Sequence, residues 1–191
     1  MTLIASDSRP IRSTAARPVH SPFGRWLLGL PLYSLTLGRR SPRSFFAVAP
    51  DPWPGDPALG QRLVLGEFAA CGVVGAATSD SPDPPWHRAG ANPLWLEALN
   101  GFAWLRDLRD CGDPSAAALA VRLIDDWTER EWRWSPVSWK REVLAARIVN
   151  WIRHYDWLAA AADPGFAARF VLSLARQRAH LKRAIRRAGR P

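Results

Sequence analysis

The segment from Asn92 to Leu108 constrains the fold more than any other part of this sequence. Its apolar residues recur on nearly every side of a helical wheel, which leaves almost no face suited to water. Asn92 is a favourable N-cap, and Pro93 suits the first position of a helix. A helix that is hydrophobic all round is buried among other elements. The sequence therefore predicts one central helix over residues 92–108 of a globular protein.

One polar row interrupts this predicted helix. Glu97, Asn100, Trp104 and Asp107 fall at spacings of 3, 4 and 3, which places them on one side of the helix. The row either faces a groove or solvent at the edge of the helix, or it lines a polar and aromatic cleft. Under the second interpretation, Asn100 and Trp104 are candidate substrate-binding residues.

Composition favours a globular domain with an anionic partner. The chain has 191 residues, of which 48% are hydrophobic, enough for one domain with a core. Its 26 Lys+Arg against 17 Asp+Glu give a net charge of +9, which favours an acidic polysaccharide, nucleic acid or acidic lipid. Two cysteines and four histidines show no disulfide framework and no metal-binding spacing, so we predict no metal and no cofactor.

The 11 tryptophans are the most unusual part of the composition. Each buries a large apolar area and keeps one N–H group that needs a partner. They either pack a helical core or stack on the flat faces of sugars or bases, and a helical protein with so many can use them for both.

Helix starts recur along the second half of the chain. A capping residue precedes proline at Asn92-Pro93, Asp113-Pro114, Ser135-Pro136 and Asp163-Pro164, at separations of 21, 22 and 28 residues. This rhythm is typical of stacked helical hairpins. After the central helix it predicts three more helices, which span about residues 114–133, 136–161 and 164–188.

Domain organisation follows from the same pattern. We predict an all-α protein with a disordered tail (1–21), an irregular N-terminal arm with short helices and Pro-rich loops (22–90) and a helical-hairpin domain (91–188). No strand is predicted. The apolar run Trp26 to Leu37 is too short to cross a membrane, and no signal peptide is evident. We expect a soluble chain, cytoplasmic or periplasmic, of undetermined oligomeric state.

The predicted third helix holds the most suggestive group of polar residues. Arg147, Asn150, Trp151 and His154 lie at spacings of 3, 1 and 3, on one side of the helix. Arginine can bind a carboxylate or sulfate with two parallel hydrogen bonds, tryptophan can stack on a sugar ring, and histidine can transfer a proton. These four residues are candidate substrate contacts, although a structural role for Arg147 and His154 is the plainer alternative.

Several motifs resemble those of the heparinase II/III-like family of bacterial polysaccharide lyases. They are residues 31–37 (PLYSLTL), 50–56 (PDPWPGD), 95–108 (WLEALNGFAWLRDL) and 147–151 (RIVNW), and the resemblance extends over roughly residues 25–185.

The resemblance implies an α/α toroid followed by a β-sandwich, in an enzyme that cleaves uronate-containing glycans by β-elimination. In that family the catalytic segment would follow the region matched here, so no catalytic residue is assigned. We therefore expect an incomplete toroid, the N-terminal part of such a lyase, that contacts acidic polysaccharide and is inactive alone. The alternative is a basic helical binding or scaffold protein that engages nucleic acid or a protein partner.

Overall fold

The computed structural model describes residues 51–76, 85–88 and 90–188, and this part of the chain is mostly helical. The helices are α1 (Pro57–Val64), α2 (Pro93–Gly101), α3 (Leu105–Asp110), α4 (Ala116–Arg130), α5 (Arg141–Arg153), α6 (Tyr155–Ala159) and α7 (Phe166–Ala188). Strands β1 (Glu67–Ala70) and β2 (Val73–Ala76) and a 3₁₀ helix (Pro85–His87) complete the described elements. The prediction of a mainly helical protein is confirmed, whereas the incomplete α/α toroid stays a prediction.

Strands β1 and β2 form an antiparallel hairpin that the sequence analysis missed. Cys71 and Gly72 form its two-residue turn, with φ of 53° and 75°. Positive φ at both central positions is the geometry of the type I′ turn, whose twist matches that of the two strands. The segment FAACGVVGA contains small residues in place of the usual alternation of large apolar and polar ones, so the strand signal is weak.

The predicted central helix is broken into α2 and α3. Phe102 ends α2 in the left-handed conformation, with φ of 58°, and its N–H donates to the Leu99 carbonyl. A non-glycine residue is uncommon in this conformation. The Phe102 side chain is completely buried, so the aromatic core fixes the bend, which helical periodicity alone does not reveal. The prediction of one continuous helix over 92–108 was wrong.

The three other predicted helices are all shorter than expected. The Ser135-Pro136 pair opens a turn in which the Ser138 N–H donates to Ser135 Oγ at 3.1 Å, and α5 begins only at Arg141. His154 then separates α5 from α6. Asp113 and Asp163 likewise accept hydrogen bonds in tight turns, and α4 and α7 each start two residues later than predicted.

The aromatic core is organised around Phe102. Its ring stacks on Trp86 at a centroid distance of 5.5 Å and packs edge-on against Trp127 and Trp151, at 6.2 Å and 5.3 Å. Trp104 lies 4.8 Å away on another side. For these four tryptophans, packing within the core is the observed role.

Helix α7 packs against two of the other helices. It packs against α4 and α5, while α5 also packs against α2, and α4 contacts α3 and α6. Among the described residues, no helix has both the length and the apolar character needed to cross a membrane.

Residues 51–56 are attached to α3 by polar contacts. Asp51 forms an ion pair with Arg106 at 2.9 Å, and the Gly55 N–H donates to Asp110 at 2.7 Å. Helix α1 and strand β1 continue this contact with α3 and α2. The predicted division between an arm (22–90) and a helical domain (91–188) stays a prediction, as does the disordered tail (1–21), which lies outside the described residues.

Candidate functional site

The structure brings together all six residues that the sequence singled out, around the C-terminal end of α2. This set is Asn100, Trp104, Arg147, Asn150, Trp151 and His154, and each is no more than 7% exposed. Because α2 stops at Gly101, its last carbonyl groups lack partners within the helix. Side chains from α5 supply those partners.

Arg147 makes the central contacts of this cluster. Its Nη1 donates to the Asn100 carbonyl at 2.9 Å and to the Ser138 carbonyl at 2.8 Å, and its Nε donates to Gln177 Oε1 at 2.8 Å. The guanidinium lies 3.9 Å from the centroid of the Trp127 ring, a cation–π distance. Burial lowers the pKa of Arg147 to about 9, an effect that Glu131 partly offsets, so Arg147 is charged at neutral pH.

The side chains of Asn100 and Asn150 also hydrogen-bond to groups in the protein interior. Asn100 donates to the carbonyls of Trp86 and Leu96, at 2.8 Å and 2.9 Å, and accepts from Trp127 Nε1 at 2.9 Å. Asn150 donates to the Gly101 carbonyl at 2.8 Å. Buried amides with this many hydrogen bonds fix the relative positions of the elements that they join.

Trp104 and Trp151 complete the cluster within the core. Trp104 Nε1 donates to the Leu99 carbonyl at 2.9 Å. Trp151 Nε1 has no partner in the part of the chain that the structure describes, and its ring stacks on Phe170 with centroids 5.3 Å apart.

His154 lies between this cluster and the ion pairs of α3. Its Nδ1 hydrogen-bonds to the Asn150 carbonyl at 2.8 Å, which places the proton on Nδ1 because a carbonyl only accepts. Its Nε2 is buried, with no hydrogen-bond partner among the described residues. Burial lowers the pKa of His154; the Asn150 carbonyl and Asp51 oppose this shift, and Arg109 and Arg106 reinforce it.

This geometry gives the cluster a clear structural role. Polar atoms of Asn100, Trp104, Arg147 and Asn150 hydrogen-bond to backbone and side-chain groups of the protein itself. Arg147 Nη2 is the exception, a buried donor without a hydrogen-bond partner among the described residues. The assignment of the six residues to substrate binding stays a prediction. The described residues contain no group of three or more His, Cys, Asp or Glu side chains arranged to hold a metal ion.

The surface presents a different feature, a concentration of positive charge in α7. After Asp163 the sequence has no further Asp or Glu but has eight Lys+Arg, whereas the residues up to Asp163 contain 18 Lys+Arg and 17 Asp+Glu. Almost the entire net charge of +9 therefore belongs to α7 and the three residues that follow it.

Three of these cations form a line on the outer face of α7. Arg178, Lys182 and Arg186 recur every four residues, and all three are exposed. Neither they nor Arg187 have an ion-pair or hydrogen-bond partner in the described part of the chain. Ile185 lies three residues from Lys182 and is 55% exposed. We call the exposed residues Leu172, Arg178, Lys182, Ile185 and Arg186 the basic face of α7.

An arginine nearer the start of α7 shows how this helix binds carboxylates. Arg169 donates through Nε and Nη2 to the two oxygens of Asp125, at 3.1 Å and 2.7 Å. It also pairs with Asp163 at 2.6 Å, and this contact lowers the pKa of Asp163 to about 2. Arginine is suited to such two-point contacts because its donors lie in one plane.

These basic residues entered the sequence-based prediction only through its alternative, a binding or scaffold protein with a basic last helix, and none of them was named as a candidate site residue. The candidate site residues were instead polar side chains near aromatic ones. The same residue types also make up a buried polar cluster in a protein core. The overlooked signal was the absence of acidic residues after Asp163.

The fold and surface thus define a mostly helical protein with a buried polar cluster and a strongly basic C-terminal helix. No protein-family model and no solved structure matches the chain. Over 173 residues, or 91% of its length, the chain is 34% identical to FtsZ-localized protein C of Caulobacter vibrioides. It spans 29% of that relative.

This comparison corrects the function predicted from sequence. The relative is named for its localisation with FtsZ, and no family model supports the resemblance to heparinase II/III-like lyases. The prediction of the N-terminal part of a polysaccharide lyase was wrong, and neither glycan binding nor an acidic polysaccharide partner is supported. The alternative, a basic helical protein with a macromolecular partner, agrees better with the relative.

Proposed function

We propose that this chain is a helical protein-binding module that associates with FtsZ. The observation that carries the proposal is the 34% identity with FtsZ-localized protein C, which extends over 91% of the chain. The similarity covers nearly all of the described fold. A binding surface common to this chain and the relative would therefore lie on helices and strands that both contain. The proposal does not depend on the predicted α/α toroid.

The structure supports such a role because the buried polar residues stabilise the fold and the exposed residues form a separate surface. The buried cluster around the end of α2 holds α2, α5 and α7 together, because Arg147, a residue of α5, contacts residues of α2, of α7 and of the loop before α5. A rigid interior keeps exposed side chains in fixed positions, which lowers the entropic cost of binding. The exposed surface of the helices, and not the polar cluster, is then the part available to a partner.

Direct binding between the purified proteins tests the proposal. The full chain can be labelled at Cys71, which is exposed, since Cys111 is buried. Fluorescence anisotropy is then measured as FtsZ from the same organism is added. We expect saturable binding at micromolar concentrations, about −8 kcal/mol. Serum albumin, an acidic protein, is the control, and a response to FtsZ no greater than that to albumin would refute the proposal.

A further inference from the structure

We propose that the basic face of α7 is a docking surface for an acidic protein segment that carries at least one apolar side chain. The inference rests on the proposed function for one point, that the partner is a protein. It adds the location of the surface and the chemistry of the segment that binds there.

The charge of this face favours an acidic segment. Arg178, Lys182 and Arg186 lie in line and lack partners in the described part of the chain. A row of like charges repels itself, so carboxylates that approach it gain attraction and relieve that repulsion. Residues 1–50 of the same chain offer little complement, because they contain seven arginines and a single acidic residue, Asp7. We therefore assign the complementary charge to another molecule.

The basic face of α7 also carries exposed apolar residues. Ile185 is exposed next to Arg186, and Leu172 is exposed six residues before Arg178. Covering an exposed aliphatic side chain with another apolar group lowers the free energy. A nucleic-acid backbone would contact the cations and leave the isoleucine and leucine uncovered. The mixture of cations and aliphatic residues favours a peptide segment over nucleic acid.

The same residues argue against a lipid surface. Leu172 and Ile185 are 13 positions apart, about 20 Å along a helix at ~1.5 Å per residue. Helices that lie in a membrane interface present a continuous apolar face with large aromatic or aliphatic residues. The apolar face of α7 is instead packed in the core, with Phe166, Phe170 and Leu174 buried.

Helix α7 already binds carboxylates through one of its arginines. Arg169 binds two carboxylates from elsewhere in the chain with short, paired hydrogen bonds. Arg178 and Arg186 carry the same guanidinium group without such partners. A segment with carboxylates spaced along it would form with Arg178 and Arg186 the same kind of contact that Arg169 forms with aspartates of this chain.

The test compares two variants of the full chain with equal net charge. The first carries Arg178→Gln, Lys182→Gln and Arg186→Gln. The matched control carries Arg62→Gln, Arg133→Gln and Arg141→Gln, which removes the same charge outside α7. Binding is measured to FtsZ and to a labelled glutamate-rich peptide containing leucine. We expect the first variant to bind both about tenfold more weakly, from three exposed pairs of ~0.5 kcal/mol each, and the control to match the unchanged chain.

A second variant tests the apolar contribution. Ile185→Ser should weaken binding of the leucine-containing peptide but not of a peptide in which serine replaces each leucine. Circular dichroism and the melting temperature should remain nearly unchanged in every variant, because the substituted side chains are exposed or, for Arg62, half-buried in a surface ion pair with Glu67.

Two kinds of result would overturn the inference. One is a first variant that binds FtsZ and the peptide as tightly as the matched control does. The other is tighter binding of duplex DNA, or of phosphatidylglycerol vesicles, than of the peptide at equal ionic strength. FtsZ binding without any effect of the α7 variant would leave the proposed function intact. Peptide binding that depends on α7, without FtsZ binding, would leave the docking surface intact and refute the proposed function.

Discussion

At the scale of single residues, the buried polar side chains stabilise an irregular backbone. Arg147 and Asn150 donate to the Asn100 and Gly101 carbonyls, which the end of α2 leaves without helical partners. A buried carbonyl without a donor costs about 1–3 kcal/mol. The cluster therefore makes the break after α2 energetically possible.

The first prediction concerns Arg147. Arg147→Ala removes donors from three buried oxygens and the cation near Glu131, so we expect the free energy of unfolding to fall by about 3–5 kcal/mol. Urea unfolding followed by circular dichroism measures the change. Arg141→Ala, at an exposed position of the same helix, should change stability by no more than about 0.5 kcal/mol. Equal effects of the two substitutions would contradict the structural role of Arg147.

The second prediction concerns His154 and pH. Burial lowers the folded-state pKa of His154 below its unfolded value of 6.5, so the unfolded chain binds the proton more readily. The protein should therefore lose stability as the pH falls below about 6.5, by at most ~1.4 kcal/mol per pH unit. The measurement is the urea midpoint at pH 8 and at pH 5.5. In His154→Gln the loss between these two pH values should be smaller, and an unchanged loss would exclude His154 as its source.

At the scale of elements, residues in unusual backbone conformations define where helices and strands end. Phe102 divides α2 from α3, and Cys71 with Gly72 joins β1 to β2. In both places a non-glycine residue has a positive φ, which costs roughly 1 kcal/mol or more. Burial of the ring offsets this cost at Phe102, whereas the exposed Cys71 has no comparable compensation.

The third prediction follows from the turn between β1 and β2. Asparagine adopts positive φ more readily than cysteine, and Asn-Gly is the preferred pair in a type I′ turn. Cys71→Asn should therefore stabilise the protein by a few tenths to about 1 kcal/mol and raise its melting temperature. Cys71→Val, a β-branched residue at the same position, should lower it. A melting temperature that rises with valine would contradict the assigned turn.

The elements also show how far the sequence predicts this fold. Helical periodicity and the Asn92-Pro93 cap correctly indicated a helical start, and the Asn92 side chain accepts from the Leu94 N–H at 2.8 Å. Local pattern could not locate the break at Phe102, because contacts with distant tryptophans determine it. The chemistry of the candidate residues was also ambiguous, because Arg147 has the same sequence context whether it binds a ligand or a backbone carbonyl.

At the scale of the whole molecule, the charge is distributed unevenly. Composition alone predicted an anionic partner, and it could not distinguish a glycan from a protein or a nucleic acid. The position of the charges along the sequence is more informative than the net charge, because nearly all the excess positive charge follows Asp163. Such an asymmetry orients the molecule as it approaches an acidic partner and accelerates association at low salt.

The fourth prediction tests this asymmetry without any partner. The α7 variant and its matched control have the same net charge, so a uniform charge distribution would make them elute together from a cation-exchange column. We expect the α7 variant to elute at a lower salt concentration than its matched control, because it lacks the clustered charges through which the protein binds the resin. Elution at the same salt concentration would show that the basic face does not dominate the electric field of the protein.

The aromatic core also gives the molecule an optical signature. Trp127 and Trp151 lie 5.5 Å apart with their ring planes at 90°, close enough for their electronic transitions to couple. Rigid, chirally arranged indoles give rise to near-ultraviolet circular dichroism, which vanishes when fixed packing is lost. These chromophores are buried and the basic face is exposed, so the spectrum reports on the integrity of the interior independently of events at the surface.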